Sequence, residues 1–118
     1  MATAVALAVA AAVASWLLVR PVPAVAVVVK NASGKAIASV RLEHERGVEV
    51  LGELAPGDSR TLSFKPRGET SYKLRVRFGD GSELTGGGGY AEAGYELTET
   101  ITESSIQTET RLPGSYAR

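Results

Sequence analysis

The sequence lacks cysteine and has one histidine, His44, in 118 residues. Without cysteine it can form no disulfide, no thiolate metal site and no cysteine nucleophile. Aspartate occurs only at Asp58 and Asp80, both in turn sequences where the side chain caps local backbone. The usual pairs of nucleophile and base cannot be assembled from these residues. We therefore expect no enzyme activity, no cofactor, no metal site and no small-molecule substrate.

The chain also lacks an excess of charge. Thirteen basic residues balance thirteen acidic residues, and neither sign forms a long run. A nucleic-acid-binding protein normally carries a basic patch or arm that neutralises phosphates. The composition therefore indicates no nucleic-acid partner.

The N-terminal segment is a long hydrophobic run. Residues 2–19 are eighteen residues without a charge, and a helix of that length would measure about 27 Å, close to the hydrocarbon thickness of a bilayer. Arg20 ends the run, and Pro21 and Pro23 cannot continue a helix. We predict a transmembrane anchor over residues 1–20, a proline linker over 21–23, a β-sandwich over 24–111 and a C-terminal tail over 112–118.

Cleavage and orientation of this segment stay open. A cleaved signal peptide is the alternative to an anchor, because Ala24-Val25-Ala26 fits a cleavage site, although that cut would remove half of the apolar run 24–29. Basic residues follow the segment and none precedes it, and this charge distribution taken alone indicates a cytoplasmic β-domain, which stays the alternative. The common layout of envelope proteins, a hydrophobic segment followed by a sandwich, favours a single-pass membrane protein with an extracytoplasmic, periplasmic domain.

Small side chains recur along one face of the predicted anchor helix. They are Ala4, Ala8, Ala12 and Ser15. Such strips allow a second helix to approach closely, although alanine is frequent enough here for chance to produce one. The strip is a candidate surface for packing against other membrane subunits within the lipid bilayer.

Beyond the prolines, apolar and polar residues alternate with the period of β-strands. In residues 72–78 apolar side chains alternate with Lys73, Arg75 and Arg77, and the hairpin turn Gly79-Asp80-Gly81 follows. A change of phase after Ile37 predicts a bulge near Ala38-Ser39. Further strand signals lie at 24–29, 40–44, 48–50, 62–64 and 95–97, and the polar residues from 104 onward form either an edge strand or a fraying tail.

Two short motifs resemble those of small immunoglobulin-like and fibronectin-type modules of envelope proteins. The turn Leu-Ala-Pro-Gly-Asp-Ser at 54–59, before alternating Leu62 and Phe64, is similar to the turn that precedes one of their strands. Ala93-Gly94-Tyr95 is similar to their tyrosine corner. The resemblance implies an all-β fold, an immunoglobulin-like antiparallel β-sandwich of about seven strands. It implies a fold rather than a function.

Gly86 to Gly89 form a run of four glycines that invites a phosphate-loop interpretation, but no helix follows to hold an anion. The run is more typical of a mobile loop or a wide bulge. A mobile loop could close on a partner, and its candidate residues are Gly87, Gly88, Tyr90 and Glu92.

Lys73, Arg75 and Arg77 form a basic face that could bind an acidic partner or lipid headgroups. The alternative is that Glu43, Glu45, Glu96 or Glu99 neutralise it from neighbouring strands. His44 falls on the apolar side of its strand, while Glu43 and Glu45 point the other way. The three cannot share a metal ion.

Two functions remain. The first is a non-catalytic accessory or assembly subunit, in which the helix packs among other membrane protein subunits and the sandwich docks on a larger protein. The alternative is a tethered recognition module that binds an envelope peptide or glycan through a loop edge at 86–94.

Overall fold

The computed structural model describes residues 24–113, so the predicted anchor and the end of the predicted tail lie outside the described range. No helix within that range is long and apolar enough to cross a membrane. The strands are β1 (Val25–Asn31), β2 (Ile37–His44), β3 (Gly47–Leu51), β4 (Ser59–Phe64), β5 (Thr70–Phe78), β6 (Glu83–Ala91), β7 (Glu96–Ile101) and β8 (Ile106–Arg111).

These strands form two sheets of four. The first sheet has the order β4-β1-β7-β8, and the second sheet has the order β3-β2-β5-β6. Neighbouring strands are antiparallel except β1 and β7, which run parallel. The predicted all-β architecture of two sheets is confirmed. Residues 106–111 form an edge strand, which raises the strand number from the predicted seven to eight.

The strand order differs from that of constant-type immunoglobulin domains, in which strands A, B, E and D share one sheet. Here β1 and β2 lie in different sheets, and β3 pairs with β2. The tyrosine-corner motif also differs, because across residues 24–113 the hydroxyl of Tyr95 donates to no upstream carbonyl. Its ring instead meets Tyr90 edge to face at 6.0 Å. The resemblance therefore holds at the level of a two-sheet sandwich.

The core lies between the sheets and follows the predicted alternation. Along β5 every second residue is buried, and the basic residues between them face solvent. On β1, Val25, Val27 and Val29 are fully buried, and Ala26 and Val28 are partly covered. The other apolar residues of the core are Ile37, Val40, Leu42, Leu51, Leu54, Phe64, Tyr72, Leu74, Val76, Phe78, Ala91, Leu97 and Ile101. Each large side chain buried there stabilises the fold by about 1.5–3 kcal/mol before entropy is counted.

Two local irregularities shape the sandwich. The pairing of β2 with β5 shifts between Ile37 and Ser39, which confirms the predicted bulge. At the end of β1, the buried Asn31 side chain donates to the carbonyls of Lys35 (2.7 Å) and Leu54 (2.9 Å) and accepts from the Ser33 hydroxyl (2.6 Å). Asn31 is therefore a turn-forming residue that joins two loops.

Candidate functional site

A buried carboxylate lies between the sheets. Glu99 is fully buried on β7, and its oxygens accept hydrogen bonds from the Gly88 amide at 3.0 and 3.1 Å. The Tyr72 hydroxyl donates to it at 3.3 Å, and the Thr108 hydroxyl donates at 3.0 Å. The expectation that Glu99 neutralises the basic face is wrong, because β7 belongs to the other sheet and the side chain points inward. Glu99 ties β5, β6, β7 and β8 together.

The glycine run forms part of this arrangement. Gly86 to Gly89 lie within β6, whose pairing with β5 shifts between Tyr72 and Leu74. Gly87 and Gly88 adopt φ values of 65° and 77°, which side chains disfavour. A Cβ atom on Gly87 would collide with the Glu99 carboxylate, and one on Gly88 would collide with the carbonyl of Tyr72. The wide-bulge interpretation of the glycines therefore fits the structure, since the bulge aims the Gly88 amide at Glu99.

The surroundings of Tyr72 change the pKa of its hydroxyl. Burial raises the pKa of its hydroxyl well above the usual 10.0, and the neighbouring Glu99 carboxylate raises the pKa further. Tyr72 is therefore a neutral hydrogen-bond donor over the physiological range. Glu99 itself is fully buried, whereas Thr108 is exposed, so the cluster reaches from the core to the surface at β8.

His44 closes one end of the sandwich. Its ring stacks on Phe64 of the opposite sheet, with centroids 4.3 Å apart and an interplanar angle of 11°. Its Nδ1 atom accepts the Arg46 amide at 3.2 Å, and its Nε2 atom lies 3.4 Å from a Glu49 oxygen. Both nitrogens are thus engaged within the protein. No group of three or more metal-ligating side chains occurs in residues 24–113.

The predicted partner loop divides into two parts. Gly87 and Gly88 face the interior, whereas Tyr90 is 51% exposed. The Tyr90 hydroxyl donates to Glu92 and, at 3.4 Å, to Glu69, and these carboxylates raise the pKa of the phenol above its usual value. A depression of about 200 Å³ adjoins the tyrosine.

The outer side of the second sheet carries the densest set of basic side chains among the described strands. We call the outward residues Arg41, Lys73, Arg75 and Arg77 the arginine face. Glu43 and Glu83 lie beside them, opposite Lys73 and Arg77. A depression of about 520 Å³ runs across this surface. On the adjoining edge strand, Val48 is 40% exposed and Val50 is 60% exposed.

Neutralisation of the arginine face is incomplete. Arg75 Nε lies 2.8 Å from Glu43 Oε1, as the sequence led us to expect of a cross-strand pair. Arg41, Lys73 and Arg77 form no ion pair with any other described residue. Arg41 lies directly opposite Arg75, and like charges in that position are unfavourable. The sequence could not show that β2 and β5 are neighbours, so it did not place Arg41 beside Arg75.

The residues Ala4, Ala8, Ala12 and Ser15, predicted to pack against membrane helices, lie outside the described range. Their role stays a prediction.

Comparison with known proteins gives a fold and no function. No family model matches the chain, and no curated protein matches it. A solved structure of similar fold is the NMR structure of the protein from Eubacterium rectale, with a TM-score of 0.57. The likeness covers 78% of this chain and 92% of that chain at 12% sequence identity. At that identity the likeness shows a shared fold and nothing about function.

Proposed function

We propose that this protein is a non-catalytic accessory or assembly subunit of a membrane protein complex. Residues 2–19 anchor it in the bilayer, and the β-sandwich docks on a larger protein. We propose further that the sandwich is a relative, in general plan, of the small immunoglobulin-like modules of envelope proteins, with its own strand order.

The observation that supports docking is the composition of the exposed outer side of the second sheet. Val48 and Val50 place apolar surface beside a row of arginines, and arginine with apolar residues is the composition that protein interfaces favour. The opposite sheet turns a mixed polar surface outward, which includes Thr61, Ser63, Thr98, Thr100, Lys30, Glu96 and Glu109. The interaction surface therefore belongs to one side of the sandwich.

The arrangement of β1 supports a retained anchor. Cleavage at Ala24-Val25-Ala26 would remove Val25, which is fully buried and pairs with Phe64. It would also remove the Ala26 amide, which donates to the Tyr95 carbonyl at 3.0 Å. Both losses would weaken the pairing of β1, which lies between β4 and β7 in the first sheet.

Gentle solubilisation followed by native-gel separation and mass spectrometry tests the proposal. We expect the chain to migrate in a large assembly with peptides near Met1 intact. Val50→Asp should release it, because a desolvated carboxylate is unfavourable at an interface. Thr61→Asp introduces the same charge on an exposed strand position of the other sheet and should leave the assembly intact. Migration of the unmodified chain alone would contradict the proposal.

The tethered recognition module is the second candidate, and exposed Tyr90 supports it. Its ring stands edge to face on Tyr95 beside a depression, which is a surface on which a peptide or sugar ring can stack. Under this alternative Tyr90→Ala abolishes ligand retention on membranes, whereas Val50→Asp has no effect on it.

A further inference from the structure

We infer that the arginine face binds an extended acidic segment of a protein partner, one in which carboxylates occur at every second residue. This inference rests on the proposed docking function and names the chemistry that the docking surface recognises. Arg41, Arg75 and Arg77 are the residues that would make the contacts.

The first argument is the unfavourable placement of charge. Arg41 and Arg75 are directly opposite on neighbouring strands, and Arg77 lies two residues farther along β5. Of these three arginines, only Arg75 has an ion-pair partner, Glu43, among residues 24–113. A carboxylate placed over Arg41 and Arg75 would relieve the repulsion between them, and guanidinium groups bind carboxylates with two parallel hydrogen bonds. Charge complementarity therefore identifies the bound group as an anion.

The second argument is spacing. Outward residues on one strand are separated by two residues, or about 7 Å. Arg75 and Arg77 have this separation along β5, and carboxylates at alternate positions of an extended peptide have the same separation. An extended acidic segment can therefore place one carboxylate on each arginine.

The third argument concerns the acidic residues of the surface. Glu43 and Glu83 line the same depression as Arg41, Arg75 and Arg77. A dense polyanion would bring its closely spaced charges against these two carboxylates. An extended alternating peptide presents its carboxylates about 7 Å apart on one side, so each carboxylate can contact an arginine without being placed against Glu43 or Glu83. This distribution favours a protein segment over a membrane of anionic lipids.

The test uses the full-length chain in a mild non-ionic detergent and a fluorescent peptide of sequence Thr-Glu-Val-Glu-Thr-Glu-Val-Glu. We expect saturable binding that weakens as salt rises, because exposed charges are screened. Arg41→Glu and Arg77→Glu should each weaken binding by about tenfold, since each removes a charge-assisted contact and adds a repulsive charge. Lys30→Glu reverses the same charge on the outer side of the first sheet and should leave binding unchanged.

The experiment distinguishes an effect on folding from an effect on peptide binding. Arg41→Glu places a carboxylate opposite Arg75, so its unfolding midpoint should be equal to or higher than that of the unmodified chain while binding falls. Equal binding of a peptide in which Gln replaces Glu would overturn the inference. So would equal weakening by Lys30→Glu, or displacement of the peptide by vesicles containing phosphatidylserine but not by an excess of unlabelled peptide.

Failure of this inference differs from failure of the proposed function. If the peptide does not bind but the chain still migrates in a large assembly, docking uses another surface and only the inference falls. If the chain migrates alone, the accessory-subunit proposal falls whatever the peptide does.

Discussion

At the scale of single residues, the most informative side chain is a carboxylate that has no ion-pair partner within residues 24–113. Glu99 is fully buried, and its oxygens are held by the Gly88 amide and by the hydroxyls of Tyr72 and Thr108. A buried polar group of this kind contributes little net stability while satisfied, but the donors around it become a large penalty once it is removed. The contribution of Glu99 to stability is therefore measured by substituting it.

We predict that Glu99→Ala lowers the free energy of unfolding by about 3 kcal/mol, because the Gly88 amide and the Tyr72 hydroxyl would lose their acceptor inside the core. Glu99→Gln keeps one acceptor oxygen and should lower it by only about 1 kcal/mol. Urea unfolding of the full chain in detergent, followed by circular dichroism, measures both. Equal losses for the two variants would show that the charge and second acceptor oxygen of Glu99, rather than the volume it fills, determine its contribution.

At the scale of secondary-structure elements, β6 is defined by its glycine bulge. The bulge brings the backbone of β6 against the Tyr72 carbonyl and turns the Gly88 amide inward. Neither feature leaves room for a side chain at Gly87 or Gly88. The conformation of β6 therefore requires glycine at both positions.

Gly88→Ala should therefore prevent folding or destabilise the domain by more than about 3 kcal/mol, because it combines a positive φ with a collision against backbone. Gly86→Ala is the matched control within the same run. At that position a Cβ atom would meet only the Ile106 side chain, at an ordinary 4.0 Å. The yield and thermal midpoint of the two variants test this difference. A normal midpoint for Gly88→Ala would mean that the strand can shift its register.

At the scale of the whole molecule, stability should fall in alkali. The pKa of Tyr72 is raised above 10.0 in the folded state, so between pH 10 and that higher value the unfolded chain releases a proton that the folded chain retains. The free energy of unfolding is therefore independent of this group below pH 10 and decreases above it.

Tyr72→Phe should flatten this decline above pH 10, while lowering stability at neutral pH by about 1 kcal/mol through the lost hydrogen bond to Glu99. Denaturant midpoints from pH 7 to 11 measure both effects. Tyr95→Phe leaves the Tyr72–Glu99 contact in place and should keep the steep alkaline decline. An unchanged slope in Tyr72→Phe would assign the alkaline sensitivity to other groups.

The sequence predicted those parts of the molecule that depend on neighbouring residues. Alternation along β5, the turn after it and the bulge near Ala38 were all readable, because side-chain period and turn chemistry are local. Strand partners were not readable, because pairing joins distant segments. The inward position of Glu99 and the opposition of Arg41 to Arg75 both follow from such pairings. For the same reason, the four glycines could not be assigned to a strand from their composition.

The central position of β1 has a consequence for the order in which the chain can fold. Val27 pairs with Leu62 on one side and with Leu97 on the other, so the first strand needs partners that are synthesised much later. Contacts between residues so far apart slow folding, because a long loop must close before they form. Until β7 emerges from the ribosome, a strand of four valines and one alanine followed by Lys30 and Asn31 has at least one unpaired edge. During synthesis β1 is therefore an apolar strand with an open edge, the kind of segment that is prone to aggregate.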